Sequence, residues 1–181
     1  MSNFIETIRQ KVAIYKLESQ HKKAPRKKRM HNLETAQSAG ILYDATDDRN
    51  LKVVKELINE LKDANITSEA LGFIDKKKRD DNYIGDSTYT FACRSDFSFF
   101  YALKNDALQE FVNKPFHLLF ILVDKQPFAI DYLGQLSKAE FKMGKAGLDN
   151  ELYDFMIELK NESDTSELKK QIIRYLKLIN N

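Results

Sequence analysis

The chain has 181 residues, 29 Lys+Arg against 27 Asp+Glu for a formal charge of +2, 43% hydrophobic residues and a single cysteine. That length and apolar content support one domain with one sizeable core, and the lone Cys93, read as a buried small hydrophobe, excludes an internal disulfide and a cysteine-rich zinc site. No apolar run approaches the ~20 residues that cross a bilayer, and the amphipathic N-terminus has no signal-peptide pattern, so a cytoplasmic protein is expected.

Residues 3–23 are predicted helical. Ile5, Ile8, Val12 and Tyr15 recur at spacings of three and four, Phe4 and Leu17 extend the stripe, and Arg9, Lys11 and Lys16 lie off it. Lys22 to Arg29 then carries six cations in eight residues with no acid, and Pro25 stops or kinks the helix at Ala24. Residues 1–40 hold nine Lys+Arg against three Asp+Glu, which leaves the rest of the chain net acidic. Residues 24–38 read as a solvated connector.

From Gly40 the pattern alternates between strand and helix. Ile41-Leu-Tyr43 precedes a helix-start signature, Thr46-Asp47-Asp48, and the stripe Leu51, Val54, Leu57, Ile58 and Leu61. Ala70–Ile74 is the next strand, which makes a βαβ unit with parallel strands. Lys76–Asp81 is a polar loop, Ser87–Cys93 an edge strand, Ser95–Tyr101 an aromatic-rich turn and residues 105–113 a short helix. Phe116–Val123 is nearly continuously apolar, as a central strand buried on both faces should be. A helix over 127–136, a short strand at Phe141–Gly144 and a strand candidate at Tyr153–Leu159 follow, and the capping-box spacing Asp164–Glu167 opens a closing helix. The predicted fold is α/β and Rossmann-like (flavodoxin-like), with a mostly parallel sheet of about four or five strands flanked by helices. Residues 1–37 form a basic amphipathic helical extension and connector, and residues 38–181 a single α/β domain.

Two groups of residues are candidate sites. Lys22, Lys23, Arg26, Lys27, Lys28 and Arg29 are suited to neutralise phosphates and release counterions, which points to RNA or the ribosome. An anionic membrane surface is the weaker partner, admitted because the preceding helix is amphipathic and cationic, and a merely solubilising linker is the bland reading. The second group is Asp44, Asp47, Asp48 and Asp124, placed after strands, where the crevice beyond a parallel sheet's carboxyl ends binds ligands. Clustered carboxylates there can hold Mg²⁺ or raise one another's pKa, and receiver domains of two-component signalling use such a pocket. The simpler reading is a helix cap at Thr46 or Asp47 and ordinary turn residues elsewhere.

Other chemistry is poorly represented. The six glycines form neither GxGxxG nor GxxxxGK[ST], against a conventional dinucleotide site or a P-loop. His21 and His31 are read as part of the basic region, and His117 as a lone histidine of the body, against histidine metal sites and a Ser-His-Asp triad. Phe97, Phe99, Phe100 and Tyr101, beside Arg94 and Lys104, form either a base-stacking surface or, more simply, core. No catalytic residue, metal or cofactor is assigned.

Gly40-Ile-Leu-Tyr-Asp-Ala-Thr-Asp-Asp48, Ala70-Leu-Gly-Phe-Ile-Asp75, Asp96-Phe-Ser-Phe-Phe100, Pro115-Phe-His-Leu-Leu119 and Leu136-Ser-Lys-Ala-Glu-Phe-Lys-Met-Gly144 together resemble a family of small α/β proteins of the Bacteroidota. That resemblance covers most of residues 25–180 and implies a fold but no activity. Phe116 to Gly144 also resembles a stretch of the N-terminal Rossmann-like domain of heptosyltransferase-type glycosyltransferases. In both, an apolar strand ending in Asp leads through a helix and a turn, here Leu136-Ser-Lys-Ala139, to a basic-hydrophobic-Gly strand. The function expected is therefore a non-enzymatic accessory protein binding RNA or the ribosome. The alternative is an enzyme or ligand-binding domain that takes a phosphorylated or sugar-nucleotide ligand in the crevice.

Overall fold

The computed structural model describes residues 2–23, 25–125, 127–147, 153–159 and 164–179, with side chains of the first helix described over 4–19. In chain order the elements are α1 (Ser2–Lys23), β1 (Ser38–Asp44), α2 (Asp48–Asp63), β2 (Thr67–Ile74), β3 (Tyr89–Cys93), α3 (Asp106–Asn113), β4 (Leu118–Leu122), α4 (Phe128–Leu136), β5 (Phe141–Lys145), β6 (Phe155–Ile157) and α5 (Thr165–Leu178). All strands are parallel and lie in the order β3-β2-β1-β4-β5-β6. The sheet thus has six strands where about four or five were expected. Without β3 the remaining strands follow the flavodoxin order. With β3 outboard of β2, the order becomes the 3-2-1-4-5-6 of Rossmann sheets.

Right-handed crossovers dictate the layers. The chain moves one way from β1 to β2 and the other way from β4 to β5, so α2 and α4 fall on opposite faces. One core packs Val54, Leu57 and Leu61 of α2 and Leu168, Ile172 and Leu176 of α5 onto Ile41, Tyr43 and Phe120. The other packs Leu108 and Phe111 of α3 and Ile130 and Leu133 of α4 onto Leu42, Leu71 and Ile121. Central β4 is buried at every position, which is why its sequence does not alternate. Helix starts follow local chemistry: Asp47, Asn105 and Asp164 cap α2, α3 and α5 by accepting backbone N–H bonds from Arg49, Ala107 and Glu167. Gly72 is required by a close approach, since a Cβ there would lie 2.8 Å from Ala45 Cβ and the Tyr43 ring.

The first helix packs with the face opposite to Ile5, Ile8 and Tyr15, and Leu17, expected to extend that stripe, lies instead on the seated face. Ala13 and Leu17 are buried in the α4-side core, whereas Phe4 (71% exposed), Ile5, Ile8 and Tyr15 (74%) face solvent. The seat is narrow and partly polar. Arg9 donates from Nε to the Phe99 carbonyl at 2.6 Å, and the Tyr101 hydroxyl donates to Glu6 at 2.5 Å, so a small and polar helix face fits it better than the apolar one.

The connector is also packed at some positions rather than solvated throughout. His31, Asn32 and Ala36 are buried, the Asn32 side chain donates to the Ile179 carbonyl at 2.9 Å, and the Arg29 N–H donates to the Glu140 carbonyl at 3.2 Å. Residues 25–37 run as a strap beneath the amino ends of β5, β4 and β1. Packing therefore continues across the expected boundary between residues 37 and 38.

The orientation of α1 has a direct check by urea denaturation. Leu17→Ala should cost about 2–5 kcal/mol of stability, as large-to-small changes at buried sites do. Ile8→Glu should stay within about 0.5 kcal/mol, as at exposed positions. The reverse ranking would mean that the apolar stripe is the seated face.

Candidate functional sites at the two edges of the sheet

At the amino edge, the basic run is partly committed to the fold. Arg26 is nearly buried: its Nη1 donates to the Ala139 and Glu140 carbonyls at 2.8 and 2.9 Å, and its Nη2 to Asp154 Oδ1 at 2.7 Å. Removing one partner of such a buried pair typically costs about 3–5 kcal/mol, so Arg26 is a structural anchor. Lys27 and Lys28 differ. They are 74% and 69% exposed, and lie 3.2 and 3.4 Å from Glu140 and Asp154. Exposed pairs are worth roughly 0–1 kcal/mol, so phosphate can displace them. Arg29 is exposed, and the side chains of Lys22 and Lys23 lie outside the described residues. Of the six expected cations, the structure places Lys27, Lys28 and Arg29 outward and Arg26 inward.

Beside the strap, a groove of about 740 Å³ lies between Lys16 of α1, Lys27, and the helices α3 and α4. Its wall includes Phe100, Leu103, Tyr132 and Leu136, with Lys138 at the rim. The aromatic turn is split between the two readings made of it. Phe97 is core, while Phe99 and Phe100 are exposed, with Arg9 4.7 Å above the Phe99 ring and Lys16 5.4 Å above Phe100.

The two histidines assigned to separate regions meet under the strap. His31 is buried rather than part of the basic surface, and its ring stacks on His117 at 4.4 Å and 6°. His31 Nε2 lies 2.7 Å from Glu140, and His117 Nδ1 accepts the Gln37 N–H at 2.9 Å. These bonds put the proton of each ring on Nε2. No spacing rule pairs residues 86 apart; only the fold brings them together. Burial, followed by the neighbouring His31, lowers the His117 pKa. The hydrogen bond from His31, aided by Lys27, holds the Glu140 carboxyl below the usual range. Burial pushes Asp154 up, but Arg26 and the Lys142 N–H outweigh it and leave its pKa lowered. Acidification through these depressed carboxylate pKa values therefore removes stability that is present at neutral pH.

Lys142 was not anticipated as a special residue. It is buried on β5 and donates from Nζ to the Gly134 carbonyl at 2.7 Å and the Gln135 carbonyl at 3.3 Å. Burial, reinforced by Arg26, pulls its pKa down from 10.5 to about 7.

At the carboxyl edge, Asp44, Asp47 and Asp124 line one cavity of about 990 Å³ at the point where the strand order reverses, between β1 and β4. Asp48 does not join them; it lines a separate cavity with Lys76 and Tyr83. The shared cavity is not purely acidic. Lys145, at the end of β5, donates to Asp124 at 2.6 Å, and Arg49 pairs with Asp47 at 2.6 Å. Asp44 Oδ1 accepts the Thr46 N–H at 2.8 Å. The acids thus serve as cap, turn acceptor and ion-pair partner. Among the described residues, no three His, Cys, Asp or Glu side chains are placed to hold a metal ion. The lysine that completes the cavity is sequence-distant from the acids, and only the β4–β5 pairing brings it there.

Residues 9–179 match a protein family described as a family of unknown function, DUF6913. Comparison with curated proteins and with solved structures finds no match to the chain.

Lys142 gives the edge a pH signature. Its folded pKa lies below the unfolded value, so between about 7 and 10.5 the unfolded chain binds a proton that the folded chain does not. Stability contributed by this position therefore rises with pH across that window. Urea midpoints measured at both ends of it should show the rise in the parent protein and a smaller or absent rise in Lys142→Met. Equal slopes in the two proteins would mean that Lys142 stays charged.

Proposed function

We propose that this chain, which belongs to the DUF6913 family of unknown function, is a non-enzymatic accessory protein of the cytoplasm that binds RNA, free or on the ribosome, through its strap. The observation that carries this reading is the way the strap is mounted. Arg26 and the Arg29 backbone fix it to the domain, while Lys27, Lys28 and Arg29 project outward beside a groove with an aromatic wall. Fixed cations next to exposed rings suit a single strand, with phosphates on the lysines and bases against Phe100.

A second reading rests on the carboxyl edge. The 3-2-1-4-5-6 order places a cavity of small-molecule size at the reversal point, with Lys145, Lys125 and Arg49 available to a phosphorylated or sugar-nucleotide ligand. The resemblance of Phe116–Gly144 to a glycosyltransferase stretch falls on β4, α4 and β5, and Asp124 and Lys125 after β4 line that cavity with Lys145 from the end of β5. An enzyme or ligand-binding domain of this kind would depend on Asp124 and Lys145 rather than on the strap.

Fluorescence anisotropy with a labelled single-stranded RNA separates the readings. The triple change Lys27→Gln, Lys28→Gln and Arg29→Gln should weaken binding at least about tenfold and reduce the salt slope by about two, given roughly 0.7 counterions per phosphate contact on a single strand. Unchanged affinity would overturn the RNA reading. Anionic vesicles form a parallel arm: co-sedimentation abolished by Ile8→Glu, with no RNA binding, would replace it with a lipid surface docked on the exposed stripe of α1.

A further inference from the structure

Under the N-terminal half of α1 lies a cleft of about 400 Å³ that belongs to neither site above. It sits at the carboxyl ends of β2, β3 and β4, on the α4 side of the sheet, where open α/β sheets take their ligands. Its volume falls within the range of small-molecule sites.

Its chemistry is mixed in a specific way. Part of its wall is aromatic: the half-buried Tyr101 and Phe128 meet edge to face at 4.6 Å, backed by the core rings Phe73 and Phe97. Two guanidinium groups line it. Arg9, on the roof, is stacked over Phe99 and Tyr101 and bonded to Glu6 and the Phe99 carbonyl. Arg94, at the end of β3, is held by Asp75 through Nε at 2.7 Å. Among the described residues, Nη2 of Arg9 and both terminal nitrogens of Arg94 have no protein partner. Each guanidinium is thus fixed at one end and open at the other, the arrangement that suits an incoming phosphate.

Tyr101 supplies an independent sign that the cleft is built. Its φ is +61°, a left-handed conformation that a bulky residue adopts at a cost of order 1–3 kcal/mol. That conformation seats its ring between Phe97, Phe128 and Tyr132 and delivers its hydroxyl to Glu6. Strain of this kind persists where the surroundings hold it in place, and here it shapes the wall of the cleft and the contact that closes its roof.

We propose that this cleft binds a mononucleotide, with the base against Tyr101 and Phe128, the phosphate on Arg9 and Arg94, and the ribose hydroxyls donating to Asp75. Asp75 stands immediately after β2, and its second carboxylate oxygen accepts no bond from the described residues. Glu6 is engaged by Tyr101 and Arg9 and does not oppose the phosphate unpaired. α1 is the roof, and among the described residues only its Ala13 and Leu17 are buried in the apolar core.

Isothermal titration of the full chain tests this with AMP, GMP, CMP and UMP, against adenosine and inorganic phosphate alone. At least one monophosphate should bind more tightly than either fragment. Arg94→Gln should weaken that monophosphate about tenfold or more, the usual effect of losing a charge-assisted contact, and leave adenosine within about twofold. Arg94 is largely exposed, so this variant keeps its melting temperature, and Arg9→Gln should repeat the result from the roof side. The strap triple variant should retain full nucleotide affinity, which separates this site from the RNA surface. No binding of any monophosphate at millimolar concentration, or equal affinity in parent and Arg94→Gln, would overturn the proposal.

Discussion

Two carboxylates at the amino edge of the sheet, Glu140 and Asp154, hold the first half of the strap to the domain. Asp154 takes Arg26 and Lys28 and accepts the Lys142 N–H, while Glu140 takes Lys27 and His31. Around these two anions stand Arg26, Lys27, Lys28, Arg29 and the buried Lys142. Hydrogen bonds from His31 to Glu140 and, against burial, from Arg26 to Asp154 depress the two carboxylates, and burial, reinforced by Arg26, lowers the Lys142 ammonium. The local excess of positive charge leaves the outermost cations poorly compensated, so one electrostatic arrangement both docks the strap and leaves charge for an external anion.

Much of the fold was legible because its signals are local. The α2 stripe, the caps at Asp47 and Asp164, the unbroken apolar run of β4 and the edge position of β3 all follow from period, capping chemistry and burial on one or two faces. What was hidden depends on contacts distant in sequence. An apolar stripe on α1 says that a face is amphipathic, not which side the domain will seat. The seat was decided by the Phe99 carbonyl and the Tyr101 hydroxyl, about ninety residues away. A run of six cations likewise looks uniform until Ala139, Glu140 and Asp154 select Arg26 from it. Of the crevice acids, Asp44, Asp47 and Asp124 line one cavity and Asp48 another, and Lys145, which pairs with Asp124, comes from a neighbouring strand's end.

The helices distribute the cavities in a simple way. α1 is about 33 Å long at 1.5 Å per residue, enough to reach from one edge of the sheet to the other. It touches the core through its middle, at Ala13 and Leu17, and stands over the Arg94 cleft at one end and the strap groove at the other. Across the sheet, α2 and α5 are packed more continuously, and cavities open around their ends. The loosely seated layer is therefore the one that carries the exposed aromatics and the open guanidinium groups.

The distance in sequence between Arg26 and Asp154 also has a temporal meaning. The two are 128 residues apart, and Glu140 lies 114 residues beyond Arg26. At about 5–20 residues per second, the ribosome needs roughly 6 to 25 s to supply Asp154 after Arg26 has been made. For most of that interval the nascent chain presents its full basic run with neither carboxylate to neutralise it. The strap can close only when β5 and β6 have emerged, so completion of the amino edge is tied to the last third of synthesis, and the cations are at their most available before the protein has finished folding.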